Sequence, residues 1–240
     1  MGGERTAESP FRGVLTLLSL AYQRKYAMIY WLYEWMLRRQ IQILPRQVCF
    51  MISGVDMAVA PEKIVEIIQW CIEISEGMVQ TEKSTTPGNN AAISGLTFHI
   101  NPLSPEDLRM YLPDLRKVST IARLILHYGD TEEVSGEGME VVVAIGKSGR
   151  EEITACIRQL AEEGVPPEKI DDAVLESHLT FRYNPDVVIK SGGDHLTDFL
   201  IWQSVYSELF FSDVNWKYFR KLDFLRILRD YQSRIRRFGK

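Results

Sequence analysis

Residues 186–213 read DVVIKSGGDHLTDFLIWQSVYSELFFSD, and this stretch decides the fold class. Val187–Ile189 is a run of branched apolar residues, which is typical of a strand buried on both faces of a sheet. Asp198–Tyr206 is predicted to form a helix, and the apolar run Leu209–Phe211 predicts a second strand. A strand, a helix and a strand in this order indicate a crossover unit of a parallel sheet.

The same alternation is found outward along the chain. Strands are predicted at Gln47–Ile52, Gly95–Ile100 and Val141–Ile145. Further helices are predicted to begin at Pro61, at Ser104–Glu106 and at Arg150. The helix that begins at Ser104–Glu106 leads into Leu124–Tyr128, and the last helix runs from about Phe219 to Arg236. The polar segments 79–94 and 129–140 are interpreted as loops. We therefore predict an α/β domain whose parallel sheet is flanked by helices on both faces.

An N-terminal extension, residues 1–44, is predicted to precede this domain, residues 45–240. Residues 14–44 read as one or two aromatic-rich helices with basic residues at both ends. Such a helix suits a membrane interface or a protein surface, and composition favours neither. We expect no signal peptide, since Glu4 and Glu8 occupy the place of basic residues, and no apolar run of about 18 residues predicts a spanning helix.

Composition and charge narrow the function classes. The 240 residues are 45% hydrophobic, and Cys49, Cys71 and Cys156 form no CxxC or Cys/His cluster, which favours a reducing cytoplasm over a disulfide framework or zinc site. Trp216–Lys240 carries nine Lys and Arg against two Asp, a balance of +7, so the net charge of −4 leaves −11 elsewhere. This asymmetry favours an anionic phosphate or an acidic partner over nucleic acid, although most of these charges suit a solvated helix.

Residues 186–213 resemble a signature of the cis-prenyltransferases, the undecaprenyl diphosphate synthase family, which is roughly D-L-x-I-R-T-G-G-E-x-R-x-S-N-F-L-x-W-Q-x-x-Y-x-E-L-Y-F. The shared positions include Asp186, Ile189, Gly192, Gly193, Phe199, Leu200, Trp202, Gln203, Tyr206, Glu208, Leu209 and Phe211. Ala144–Arg150 and the chain ending are weaker matches, and 32–34 (Leu-Tyr-Glu) is similar to archaeal members. The resemblance covers roughly residues 26–240 and implies a doubly wound sheet and a pairwise assembly of related subunits.

The reaction of this family sets the chemical requirements of its site. The resemblance implies that an allylic diphosphate is joined to isopentenyl diphosphate with Mg²⁺. Carboxylates suit that hard cation, and an arginine fork or a helix N-terminus suits phosphate oxygens. The family motif M-D-G-N-x-R supplies all three at the end of the first strand.

This chain departs from that motif, since 51–57 reads MISGVDM. The resemblance implies that Ser53, Val55 and Met57 replace the family's aspartate, asparagine and arginine. Serine is a poor ligand for Mg²⁺ and methionine cannot bind phosphate, so no catalytic residue and no metal ligand is expected in this chain. Asp56 lies three positions along the turn and is expected to point elsewhere.

Four residues are candidates for a residual phosphate site. Lys190 replaces the arginine before the glycine pair and keeps its charge but loses the bidentate fork. Gly192, Gly193 and Arg150 complete this set. The segment 192–199 is one residue shorter than the family form, so the second arginine has no counterpart. His195 is interpreted as an ordinary loop residue.

The chain ends Arg237-Phe238-Gly239-Lys240, which is similar to the ending of the Nogo-B receptor group. These non-catalytic subunits of heteromeric cis-prenyltransferases also lack the aspartate and have Lys-x-Gly at the position of Lys190. The resemblance implies that the Arg-x-Gly tail reaches the diphosphate and Mg²⁺ site of a catalytic homologue, which holds the metal. Unlike that group, this chain keeps Gly192 and Gly193.

The sequence therefore predicts an accessory subunit of a heterodimer or heterotetramer, inactive alone and cytoplasmic. Two alternatives stay open. One is a divergent homodimeric enzyme that is active alone, and the other is a scaffold that binds prenyl lipid or membrane through residues 14–44.

Overall fold

The computed structural model describes residues 28–82, 92–101, 105–129, 131–146, 148–179, 181, 184–192, 200 and 202–234. It contains two units, residues 1–41 and residues 42–240. Each unit is described by itself.

The described part of the first unit is helix α1, residues 28–40. Much of its surface is apolar and exposed, namely Met28, Ile29, Tyr30, Trp31, Leu32, Trp35 and Met36. Arg38 pairs with Glu34 at 2.8 Å, and the Arg39 guanidinium lies 4.2 Å from the centroid of the Trp35 ring. Within the part of the chain that the structure describes, no helix combines the length and apolarity needed to cross a membrane.

The second unit is built on a sheet of seven strands. They are β1 (Gln47–Ser53), β2 (Gly95–Asn101), β3 (Arg123–Tyr128), β4 (Thr131–Ser135), β5 (Glu140–Ile145), β6 (Val187–Ser191) and β7 (Glu208–Ser212). Their order is β4-β3-β5-β2-β1-β6-β7, and only the β3–β4 pair is antiparallel. The predicted α/β fold with a parallel sheet is confirmed.

In the described residues of this unit, six α-helices follow or connect the strands. They are α2 (Gly54–Val59), α3 (Lys63–Glu82), α4 (Pro105–Arg116), α5 (Gly149–Glu162), α6 (Asp172–His178) and α7 (Lys221–Ser233). Five consecutive residues of β1, from Val48 to Ile52, are buried, so both faces of this central strand are covered. The predicted inner face of α3 (Ile64, Ile67, Ile68, Cys71 and Ile74) is also buried, as expected for an amphipathic helix.

An aromatic cluster forms the core on one face of β1. Phe50 stacks on Phe98 with ring centroids 5.5 Å apart, and meets Trp216 and Phe219 edge-on at 6.3 and 6.0 Å. The indole of Trp216 also donates a hydrogen bond to the carbonyl of Ala60 at 2.9 Å. This bond ties the segment after β7 to the end of α2, at the carboxyl end of the sheet.

Three predictions of local structure are wrong. The segment 129–140 contains strand β4, whose sequence TEEVS lacks an apolar alternation because both its sides are largely exposed at the sheet edge. Helix α3 continues to Glu82, four residues into the predicted loop 79–94. Of the predicted helix 198–206, residues 198, 199 and 201 lie outside the described residues, and residues 202–206 form turns before β7 begins at Glu208.

All three cysteines are free and buried. Burial raises the pKa of the Cys49 thiol to about 12 and raises the pKa of Cys71 as well. Neither thiol is therefore ionised near neutral pH.

Candidate functional site

The residues predicted from the first motif and from Lys190 lie together at the carboxyl ends of β1 and β6. The two strands are adjacent and parallel, with Met51 opposite Lys190, and Ser53 ends β1 two residues later. Ligands of open α/β sheets bind at such strand ends, so this edge is the candidate site.

Ser53 has a structural role at this edge, as the N-cap of α2. Its hydroxyl oxygen accepts a hydrogen bond from the backbone N–H of Asp56 at 3.1 Å. Val55 is 53% exposed, whereas Met57 is fully buried in the core. The Met57 side chain therefore packs in the protein interior and offers no group that could bind phosphate.

The expectation that Asp56 points elsewhere is wrong. The Ser53 hydroxyl donates a hydrogen bond to Oδ2 of Asp56 at 2.7 Å, so the carboxylate lies beside the position of the replaced aspartate. A residue three positions after an N-cap often folds back onto the cap. The pattern Ser-x-x-Asp could have predicted this contact from sequence.

The described residues at this edge do not form a magnesium site by themselves. Mg²⁺ requires several oxygen ligands in near-octahedral geometry. Among the described residues, no three His, Cys, Asp or Glu side chains are grouped so that they could hold a metal. Asp56 offers one carboxylate, one oxygen of which already accepts from Ser53.

Lys190 and Gly192 have local partners at the end of β6. The Lys190 ammonium donates to the carbonyl of Ser191 at 3.0 Å. Gly192 has a φ of +67°, and a Cβ at this position would lie 3.1 Å from Oδ1 of Asn215. Glycine is therefore required here for backbone reasons. Gly193 and His195 lie outside the described residues.

Arg150 is not brought beside Lys190. It is exposed in the first turn of α5, after β5, and strands β2 and β1 separate β5 from β6. Adjacent strands lie about 4.8 Å apart, so the ends of β5 and β6 are roughly 14 Å apart. The N-terminus of α5 is capped by Ser148 and by Glu151, whose pKa is lowered by hydrogen bonds from the backbone and side chain of Ser148.

A buried polar cluster behind this edge was not predicted. Glu152 accepts from the backbone N–H of Phe181 at 2.6 Å and from Nε2 of Gln203 at 2.8 Å. Gln203 also donates to the carbonyl of Phe181 at 2.8 Å. The cluster joins α5 to the turn 202–206, which gives Gln203 of the matched signature a structural role. The position of Glu152 in the sequence could have predicted this cluster, because it lies four residues before Cys156 and therefore on the buried face of α5.

The predicted tail residues Arg237, Phe238, Gly239 and Lys240 lie outside the described residues. The last described residue, Arg234, is held on β7. Its Nη1 donates to Oε2 of Glu208 at 3.0 Å and to the carbonyl of Leu209 at 3.2 Å. Its guanidinium carbon lies 3.9 Å from the centroid of the Phe210 ring.

Comparisons with known proteins agree with this architecture. The family model described as undecaprenyl diphosphate synthase matches residues 114–239. Isoprenyl transferase 1 of Corynebacterium efficiens is 32% identical over 76% of this chain and 79% of its own length. The tritrans,polycis-undecaprenyl-diphosphate synthase (geranylgeranyl-diphosphate specific) of Methanocaldococcus jannaschii is 32% identical over 75% and 72%.

A solved structure shares the fold. The crystal structure of a probable undecaprenyl diphosphate synthase from Campylobacter jejuni superposes with a TM-score of 0.57 at 19% identity. The match covers 82% of this chain and 99% of that chain. At this identity the similarity concerns the fold alone.

Proposed function

Since the chain belongs to the undecaprenyl diphosphate synthase family of prenyltransferases, we propose that it is a non-catalytic subunit of a heteromeric cis-prenyltransferase. It stabilises a catalytic homologue and donates Arg237–Lys240 to the site where that homologue holds isopentenyl diphosphate, the allylic diphosphate and Mg²⁺. The observation that carries the proposal is Ser53, a helix cap at the position of the family's aspartate.

The burial and hydrogen bonds of the other site residues support the proposal that this chain does not catalyse prenyl transfer. Met57 is enclosed in the core, and Lys190 donates to a backbone carbonyl within its own strand end. The Asp56 carboxylate accepts a hydrogen bond from the cap residue Ser53. A diphosphate would find neither an arginine fork nor a metal cluster among the described residues of this edge.

The anchoring of Arg234 supports a role for the tail. Its contacts with Glu208, Leu209 and Phe210 fix the point from which residues 235–240 begin, at the edge strand β7. Three of those six residues are basic, namely Arg236, Arg237 and Lys240. A fixed starting point raises the effective concentration of a tail at one place on a partner.

The test is co-purification with a family member that keeps the Asp-Gly-Asn motif, followed by an assay of isopentenyl diphosphate incorporation. We expect no prenyl transfer by this chain alone, and more transfer by the complex than by the homologue alone. Deleting Arg237–Lys240 should remove most of that gain while leaving the complex intact. Robust transfer by the isolated chain would contradict the proposal.

One observation favours a second candidate, a divergent enzyme that is active alone. Asp56 places a carboxylate beside the position of the missing aspartate. If this candidate holds, the isolated chain has transferase activity, and Asp56→Asn abolishes that activity. If the isolated wild-type chain is inactive under the same conditions, the candidate is excluded.

We also propose a cytoplasmic protein that contacts a membrane peripherally through α1. The exposed Trp31 and Trp35, with Arg38 and Arg39 in the next turn, match the composition of interfacial helices. Co-sedimentation with liposomes containing anionic lipid should fall when Trp31 and Trp35 are both replaced by Ala. Unchanged sedimentation would indicate that the aromatic surface of α1 binds a protein partner instead of a membrane. Liposome binding by a chain that has no role in prenyl transfer would favour the scaffold alternative.

A further inference from the structure

His178 joins the C-terminal end of α6 to the C-terminal end of α5. Its Nε2 lies 3.0 Å from Oε2 of Glu163, the residue that follows α5 as its C-cap. Its Nδ1 lies 2.8 Å from the carbonyl oxygen of Val174 and 2.9 Å from the hydroxyl oxygen of Ser177, both on α6. The His178 side chain is 17% exposed, so the ring relies on these protein partners for its hydrogen bonds.

These partners all accept hydrogen bonds from the ring. The Ser177 hydroxyl donates its single proton to the carbonyl of Val174 at 2.7 Å, which leaves its oxygen as an acceptor towards Nδ1. The carboxyl of Glu163 is ionised near neutral pH, because hydrogen bonds from Gln159 and then from His178 lower its pKa. A neutral imidazole has one N–H and satisfies one side, whereas an imidazolium donates from both nitrogens.

Acidic residues dominate the elements around the ring. Residues 162–178 carry six acids and one lysine, and the exposed Arg158 lies one turn earlier on α5. The acids are Glu162, Glu163, Glu168, Asp171, Asp172 and Glu176, and the lysine is Lys169. The turn 202–206, whose Trp202 packs against α5 and the end of α6, carries no charged residue. The net negative charge around His178 stabilises an imidazolium.

We propose that His178 is a pH-sensitive latch, which holds α6 against α5 as an imidazolium and loosens α6 when the ring loses a proton. Helix α6 has seven residues, too few to be stable without tertiary contacts. It packs on α5 through an apolar cluster that contains Cys156, Leu175 and Leu179. The pair of His178 and Glu163 ties the two helices together beside this cluster.

The direction of the pH dependence follows from the protonation state that folding favours. Because folding favours the cation, the folded chain binds this proton more tightly than the unfolded chain. The contribution of the latch to stability is therefore complete below about pH 6.5, the ordinary value for histidine, and is lost as the pH rises through the higher midpoint of the folded state. Trp202 of the matched signature packs on the same cluster, so a loosened α6 removes part of the support of the turn 202–206.

The protonation state is tested by ¹⁵N NMR titration of the histidine rings in the isolated chain, so the outcome does not depend on the proposed function. We expect the midpoint of His178 to lie above about 7, with both ring nitrogens protonated below it. Glu163→Gln removes the anionic partner and should weaken proton binding by His178 about threefold. Glu162→Gln is the matched control in the same turn and should leave the midpoint nearly unchanged. A wild-type midpoint at or below about 6.5, or no response to Glu163→Gln, would overturn the proposal.

Loosening of α6 is measured through Cys156, which is 2% exposed and lies 3.7 Å from the carbonyl of Leu175. Iodoacetamide labelling, located by mass spectrometry, is compared between the wild type and His178→Gln, and the ratio of the two rates cancels the pH dependence of the thiol itself. We expect His178→Gln to label Cys156 severalfold faster at about pH 6 and at nearly the same rate at about pH 9, where the wild-type ring is neutral. A ratio that is constant over this range would overturn the latch. Cys49 and Cys71 are buried in the same chain and report global unfolding, so labelling of all three at equal rates would overturn it too.

Discussion

Position 53 separates the demands of folding from those of catalysis. The family's aspartate and the serine of this chain are both among the preferred helix N-caps, because each has an oxygen that can accept from the first turn. Ser53 uses that oxygen for the N–H of Asp56. Ser53 therefore stabilises the start of α2.

Replacing this cap should reveal its structural role. We expect Ser53→Ala to lower the free energy of unfolding by about 1 kcal/mol, because the N–H of Asp56 loses its acceptor. Ser53→Thr is the matched control and should unfold nearly like the wild type, since threonine keeps the hydroxyl that accepts from the N–H of Asp56 and donates to its carboxylate. Urea unfolding followed by circular dichroism measures both. Equal losses in the two variants would show that the cap contributes nothing.

The buried Glu152 cluster gives a second prediction. Glu152→Ala removes the acceptor of the Phe181 N–H and of the Gln203 amide, and each unsatisfied buried donor costs about 1–3 kcal/mol. We expect a loss of about 3 kcal/mol in the free energy of unfolding. Glu162→Ala, on an exposed position of the same helix, should change it little. A loss as small as that of the control would mean that water replaces the carboxylate.

At the scale of elements, α4 is tied to the β3–β4 hairpin at the edge of the sheet. Arg116 makes a bidentate contact with Glu133, with distances of 2.9 and 2.6 Å, and the hydroxyl of Tyr128 donates to the same carboxylate at 2.5 Å. These hydrogen bonds from Arg116 and then Tyr128 lower the pKa of Glu133 from 4.5 to about 2. The pair is exposed, so its effect on global stability is screened by solvent.

This contact should make the hairpin sensitive to acid. Because folding lowers the pKa of Glu133, its contribution is complete above the unfolded value near 4.5 and is lost as the pH falls towards about 2. A carbon-detected NMR titration should give a midpoint near 2 for this carboxyl. Glu133→Gln should slightly reduce the loss of stability between pH 5 and pH 2.5, because it removes the contribution of this one exposed contact, whereas Glu137→Gln in the following loop should leave that loss unchanged. A midpoint near 4.5 would contradict the contact.

At the scale of the whole molecule, the sequence predicted the strands with apolar side chains. It missed the solvent-exposed strand β4 and the contacts that form where the chain folds back on itself. Strands β1, β2, β5 and β6 were predictable because central parallel strands are apolar throughout. The edge strand β7 was predictable because Leu209–Phe211 is an apolar run. Strand β4 was not, since most of its residues face solvent and show no apolar alternation. The return of Asp56 and the turns at 202–206 depend on tertiary context, which overrides local propensity.

The contacts of Arg234 predict how the tail is linked to the rest of the chain. In the complex proposed above, Arg234→Ala should reduce prenyl transfer severalfold, because the tail no longer starts from a fixed point on β7. Arg229→Ala is the matched control, since Arg229 contacts only the neighbouring Asp230 in the described structure.

A double-mutant cycle distinguishes positioning from general stability. Once Arg237–Lys240 is deleted, Arg234→Ala should have no further effect on transfer. Additive losses would show that Arg234 acts independently of the tail. If the tail deletion alone has no effect, the proposed function fails instead.

The cap at position 53 also bears on how such a subunit arises. Serine and aspartate can both accept from the first turn of α2, so the cap itself survives an exchange of one for the other. The hydrogen bond to the Asp56 carboxylate does not survive it, because only the serine hydroxyl can donate. A lineage that gained serine at position 53 while a sister copy kept the chemistry would therefore have kept the cap and gained a partner for Asp56.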